Sequence, residues 1–138
     1  MEKCVIIVDS ELSTGVIANV SAVLSMSIGY KVEGLVGADI RDADGHIHHG
    51  LTQLPIPVLG TTAGRISDIK TAIASDSNDE ILVFDFNNLS QKAKTYEEYI
   101  SLIESSAAKD IAYLGIALYG NKKTINKITS GLSLVAKD

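Results

Sequence analysis

The sequence predicts an α/β fold: three layers, α/β/α, around a small mixed and mostly parallel sheet. Three observations carry this expectation. Short β-branched apolar runs, such as Cys4-Val5-Ile6-Ile7-Val8, alternate along the chain with segments whose apolar residues recur at helical spacing. Those helical segments are about ten to fifteen residues long, enough to carry the chain back over a sheet between parallel strands. Hydrophobic residues make up 46% of the 138-residue chain and charged residues 21%, which suffices for a sizeable core and argues against disorder.

Each element follows from local chemistry. The run from Cys4 to Val8 stops at Asp9 and reads as the first, central strand, buried on both faces. Ser13 or Thr14 caps a helix carrying Val16, Ile17, Val20, Val23, Leu24 and Ile28, with Gly29 as its stop. From Gly34 to Thr52 the chain is irregular and polar, and Ala43-Asp44-Gly45 has the chemistry of a hairpin turn. Pro55-Ile56-Pro57-Val58-Leu59-Gly60 reads as a strand starting near a sheet edge, because proline has no N–H to give a neighbour. The helix after it carries Ile66, Ile69 and Ile73 on one face. Glu80 to Phe86 is the third strand, and beyond a polar link Tyr96, Tyr99, Ile100 and Ile103 mark an amphipathic helix. The last long strand runs from Ile111 to Tyr119; Gly120-Asn121 then turns and caps a short helix with Ile125 and Ile128, which Gly131 closes before Leu132-Ser133-Leu134. No repeat, low-complexity tract or linker divides the chain, so residues 1–138 are expected to form one domain.

Charge and cysteine content narrow the function classes. A net charge of −5 repels polyanions and disfavours nucleic acid as a partner. Cys4 is the only cysteine, so no intrachain disulfide forms, and a reducing, cytoplasmic location is expected. No secretory signal is visible at the amino end, and no apolar run approaches the ~20 residues needed to cross a bilayer, so no membrane partner is expected.

Two stretches carry a family resemblance: Val5-Ile6-Ile7-Val8 through Leu12 and Gly15, and Gly115 through Leu134. Glu11-Leu12-Ser13-Thr14-Gly15 before Val16-Ile17-Ala18, and Gly120 followed by Lys127-Ile128-Thr129-Ser130-Gly131-Leu132-Ser133-Leu134, resemble the peptidyl-tRNA hydrolase II pattern. The resemblance implies that fold, a hydrolytic activity, and a catalytic aspartate where Val83-Phe84-Asp85 places Asp85. The chain departs from the pattern where the family's first helix carries a catalytic lysine and histidine, for Val16 and Val23 stand near those places. The stretch from Gly34 to Leu54 has no counterpart in the pattern. As a whole the chain is similar to a bacterial branch of the fold with no assigned activity.

Candidate site residues follow from position. Asp85 is expected at the carboxyl end of a central strand, where open α/β sheets hold ligands, and could act as a general base. Gly120-Asn121-Lys122-Lys123-Thr124 joins a helix amino terminus to two lysines, and Gly60-Thr61-Thr62-Ala63-Gly64-Arg65 is a second Gly-rich strand-to-helix turn with a cation; both suit an anion. Thr61, Thr62 and Arg65 lack P-loop spacing, so a capped helix start is the plainer reading of that turn. His46, His48 and His49 lie beside Asp42 and Asp44, but a polar turn gives a metal little rigid support, and the segment reads as a solvated hairpin. No metal or cofactor is expected. Cys4 reads as core, and no G-x-S-x-G elbow is present.

These features are expected to give a small domain that binds or acts on a small anionic ligand at the carboxyl ends of the strands. Asp85, Asn121, Lys122 and Lys123 would lie nearest the chemistry. Two alternatives stand beside this: an esterase like peptidyl-tRNA hydrolase, and a non-catalytic homodimer paired through the expected edge from Leu54 to Leu59. If the protein is an enzyme, a hydrolase is expected.

Overall fold

The computed structural model describes residues 1–76 and 80–135. Strand β1 (Glu2–Asp9) is central, and its residues from Cys4 to Val8 are buried, as the unbroken apolar run requires. It is followed by helix α1 (Thr14–Lys31), whose cap is Ser13: its side chain accepts the N–H of Val16. The helix does not stop at Gly29 as expected. Gly29 lies inside it, with Val36 Cγ2 4.0 Å from where a Cβ would sit, and the chain turns instead at Gly34, whose φ is +81°. A Cβ at Gly29 would make only an ordinary contact, and it is Gly34 that serves the left-handed turn.

From Val36 to Thr52 a hairpin stands off the body, as the Asp44-Gly45 turn implies. Its regular core is β2 (Ile40–Arg41) paired antiparallel with β3 (Ile47–His48). Strand β4 (Val58–Thr61) and helix α2 (Ala63–Ser75) follow, with Thr62 as the cap of α2. Then come β5 (Leu82–Asn87), the short helices α3 (Asn88–Lys92) and α4 (Tyr96–Glu104), a 3-10 turn (Ala108–Asp110), β6 (Tyr113–Asn121), α5 (Lys122–Ile128) and β7 (Ser133–Leu134).

The main sheet has the order β5-β6-β1-β4-β7. It is mixed, but the expectation of a mostly parallel sheet is corrected: β1 and β4 are the parallel neighbours, whereas β1/β6, β5/β6 and β4/β7 are antiparallel. The physical reason lies between β5 and β6. Asn87 at the end of β5 pairs with Tyr113 at the start of β6, so the helices between them form an excursion from one end of the sheet, not a crossover. A helical period in the sequence says nothing about which end the chain returns to. The expected edge from Leu54 to Leu59 is also corrected. β4 is flanked by β1 and β7, and Pro55 and Pro57 precede the strand, where the Pro57 carbonyl still accepts the N–H of Ile6 at 3.0 Å. The edges of the sheet are β5 and β7.

Helices cover both faces. Cys4, Ile6, Val8, Phe86 and Ala117 of the sheet bury against Val20, Leu24 and Ile28 of α1. Val5, Ile7, Leu59, Ile116 and Leu118 bury against Ile66 and Ile69 of α2 and Ile125 of α5. Each fully buried Ile or Leu contributes about 1.5–3 kcal/mol by leaving water, so the eight such side chains among the described residues dominate the stabilising side of the balance. Burial pushes the Cys4 thiol up to about 11, in keeping with a core residue. Gly115 lets α1 approach β6, because a Cβ there would lie 2.8 Å from Val20 Cγ1 and 3.1 Å from the Ile7 carbonyl oxygen. Gly120 has an ordinary strand conformation rather than a turn; a Cβ there would lie 2.6 Å from Ile81 Cδ1.

Candidate functional site

The helices on the second face leave a cleft of about 410 Å³ between α2 and α5, closed at one side by Ile81. Its floor is Ile69, Ala72, Ile73, Ile81 and Ile128, and its rim carries Arg65, Asp68, Asp76, Thr124 and Lys127. The isoleucines face inward because both helices place apolar residues three or four apart, and the sheet beneath takes Ile66 and Ile125 as the deeper anchors. Arg65 stands in the first turn of α2, where Thr62 Oγ1 accepts its backbone N–H at 3.1 Å. Lys127 stands in the last turn of α5. Neither side chain makes an ion pair with a described residue. The arrangement suits a small molecule, with a mostly apolar floor and both cations and carboxylates around the rim.

A wider groove of about 730 Å³ runs along the β5 edge between α1 and the α3–α4 excursion. Asp85 lines it, with Asn19, Val23 and Ser27 of α1 and Ser90, Gln91, Lys94, Thr95, Tyr96 and Tyr99 beyond the strand. The Asp85 carboxylate is held by the buried Asn87, whose Nδ2 donates to Oδ2 at 2.8 Å. In the sequence Asn87 belongs to the polar link that follows the third strand. Its signal was present, since Asn with Ser three residues on is a capping pattern, and here the Asn87 side chain accepts the N–H groups of Leu89 and Ser90 at 3.0 Å. Tyr96 and Tyr99 form an edge-to-face pair at 5.8 Å beside the groove.

The structure does not bring the remaining expected residues together. Asn121 pairs with Glu2, at the opposite end of the sheet from Asp9, Thr61 and Asn87. Grouping Asn121, Lys122 and Lys123 with Asp85 depended on a parallel sheet, in which all carboxyl ends converge; β6 runs the other way. At the start of α5 the Lys122 N–H donates to the Met1 carbonyl at 2.9 Å, and the Thr124 N–H to Asn121 Oδ1 at 3.2 Å. The Asn121 cap is therefore made as expected, and it occupies donors that an anion would use. Thr61 ends β4 beside Asp9, and its carbonyl accepts both the backbone N–H and the hydroxyl of Ser10 at 2.9 and 3.2 Å. Of the Thr61, Thr62 and Arg65 group, Arg65 reaches the cleft.

His46, His48 and His49 lie on the exposed hairpin. His48 Nε2 is 2.9 Å from Asp42 Oδ2, and His49 Nδ1 is 3.0 Å from Asp39 Oδ2. Among the described residues no group of three or more His, Cys, Asp or Glu is placed to hold a metal ion. No described helix is long and apolar enough to cross a membrane.

No curated protein matches the chain. In three dimensions it is similar to a protein of unknown function from Agrobacterium tumefaciens strain C58, with a TM-score of 0.85, 22% sequence identity, and 98% of each chain covered. At that identity the likeness concerns the fold. The family described as protein of unknown function (DUF2000) matches residues 2–136, and this chain, with its five-stranded mixed sheet and helices on both faces, belongs to that family.

Proposed function

We propose that the chain binds a small anionic molecule with an apolar body, its acid group held between Arg65 and Lys127 and its body in the cleft between α2 and α5. One observation carries this reading: an isoleucine-rich floor with two cations at its rim that have no ion-pair partner among the described residues. A wholly apolar cleft would suit a hydrocarbon, and bare surface cations an inorganic ion. The combination favours an amphipathic carboxylate or phosphate, with the charge-assisted hydrogen bonds at one place and the buried area at another. Arg65 adds a second reason. A cation in the first turn of a helix opposes the helix dipole by roughly 0.3–1 kcal/mol, and a bound anion reverses that sign.

The wider reading is of a cytoplasmic domain, supported by its single, buried thiol Cys4. We infer an architecture akin to peptidyl-tRNA hydrolase II, supported by helices on both faces of the sheet and by the closing strand at Ser133–Leu134. Ester hydrolysis at Asp85 is less well supported, because α1 lines that groove with Asn19, Val23, Leu24 and Ser27 and contributes no basic side chain.

The test is thermal unfolding in the presence of inorganic phosphate, short-chain and medium-chain carboxylates, and alkyl phosphates. Amphipathic acids should raise Tm in a concentration-dependent way and more than phosphate does, and an Arg65→Gln, Lys127→Gln double variant should lose most of that rise. A Lys122→Ala, Lys123→Ala variant should respond as the parent does, because neither of those lysines lines the cleft. An equal response in the parent and the Arg65/Lys127 variant, or no response to any of the acids, overturns the reading.

A further inference from the structure

Helix α1 carries no charged side chain from Thr14 to Tyr30; Lys31 is its first. A surface helix ordinarily buries one apolar stripe and turns charged residues to water. Here Val20, Leu24 and Ile28 are buried in the core, yet the outer face is apolar too: Val23, Met26 and Tyr30, at i, i+3 and i+7, are 42%, 79% and 91% exposed. The hairpin continues this surface. Its register pairs Val36 with Thr52, Ile40 with His48 and Arg41 with Ile47, so Val36 and Ile40 share one face of the ribbon. They are 52% and 67% exposed. Val36 lies near α1 at Gly29, its Cγ2 4.0 Å from where a Cβ on that glycine would sit, so the helix face and the ribbon face are neighbours. A two-stranded ribbon standing in water is marginally stable at best, and an apolar one calls for cover.

We propose that the cover is a second copy of this chain: a homodimer in which the outer faces of α1 pair across a two-fold axis and each hairpin lies against the other copy. Two features select that occupant. A two-fold interface sets identical residues near one another, so any charge close to the axis would meet its own kind; seventeen successive uncharged positions on α1 meet this condition in a chain of net charge −5. The area is also adequate. Val23, Met26, Tyr30, Val36 and Ile40 together expose on the order of 700 Å² per copy, against about 800 Å² per partner in a standard stable interface. A membrane surface fits poorly: Lys31 and Arg41 at the edge of the apolar face are outnumbered by Glu33, Asp39, Asp42 and Asp44.

Sedimentation equilibrium of the full chain, from micromolar to submillimolar concentration, tests this. The parent should be a dimer. Met26→Glu on the helix and Ile40→Glu on the ribbon should each weaken the dimer by about tenfold or more, a loss of about 1.4 kcal/mol. Because Ile40 touches no part of the core, its variant reports on association even if the helix variant disturbs folding. A parent that stays monomeric throughout overturns the proposal, as does a dimer that both variants leave unweakened. A monomer that co-sediments with anionic phospholipid vesicles would overturn it in favour of a lipid surface.

Discussion

Asn87 shows how much a single buried polar side chain can organise. It sits at the last position of β5, with 1% of its surface exposed, and every polar atom of its side chain is engaged. Its Oδ1 caps α3, its Nδ2 orients Asp85, and its own N–H reaches Ser90 Oγ at 3.3 Å. Removing the amide leaves two helix N–H groups and a carboxylate oxygen without that partner, so Asn87→Ala should cost about 1–3 kcal/mol. The expected result is a lower urea midpoint with an unchanged slope, because the surface exposed on unfolding does not change. An unshifted midpoint would mean that water replaces the cap without loss. At this scale the sequence was readable in part. The Asn-x-x-Ser cap can be found by eye, as can Arg65 after a Thr cap. That Lys127 lines the same cleft as Arg65 could not be read, since nothing local says that α2 and α5 share a face of the sheet.

Elements were legible wherever one interaction dominates. The buried run of β1, the Asn121 cap and the Asp-Gly turn of the hairpin each express local chemistry and appear as expected, and the structure selects Ser13 over Thr14 and Thr62 over Thr61 as the other caps. Gly29 neither ends its helix nor packs closely, and Gly120 misled because a missing Cβ serves close packing as readily as a turn. In the hairpin, carboxylates take over the task that a core performs elsewhere. Asp39 accepts the Gly50 N–H at 2.8 Å and lies against His49; Asp42 lies against His48 and accepts the N–H groups of His46 and Asp44. The Gly50 N–H and His49 hold the Asp39 carboxyl below its ordinary 3.8, and His48 with the His46 N–H does the same for Asp42. A carboxyl depressed in the folded state stabilises fully above its unfolded value and loses that stabilisation as the pH falls through the lower, folded value. The hairpin should therefore keep its shape at neutral pH and open below about pH 4, ahead of the body of the protein. Amide chemical shifts of Gly50 and His46 should move together in that window, and Asp39→Asn with Asp42→Asn should shift them at neutral pH. Shifts that stay constant until global unfolding would assign the hairpin's order to something other than these two carboxylates.

For the molecule as a whole, strand direction was the quantity the sequence hid. Alternating strands and helices look the same whether a connection crosses the sheet or returns to the end it left, and only the pairing of Asn87 with Tyr113 reveals that β6 runs against β1 and β5. That reversal moves Asn121 away from Asp85 and so divides the expected site. It also gives the fold its mechanical logic, because β6, of nine residues, pairs with β1 over seven positions and with β5 over six. The two apolar clusters meet across this spine: Ile6 and Ala117 face α1, while Ile7, Ile116 and Leu118 face α2 and α5. A cavity on either side should then be felt by both, since the two helical layers pack on opposite faces of the same strands. Ile6→Ala and Ile7→Ala should each cost about 2–5 kcal/mol, in the range for buried large-to-small changes. Each should move a single unfolding transition, seen alike by far-ultraviolet circular dichroism and by tyrosine fluorescence, to lower denaturant. If Ile6→Ala instead separated an early loss of α1 from a later loss of the α2 face, the two sides of the sheet would be independent folding units, and β1 would hold them side by side without coupling them.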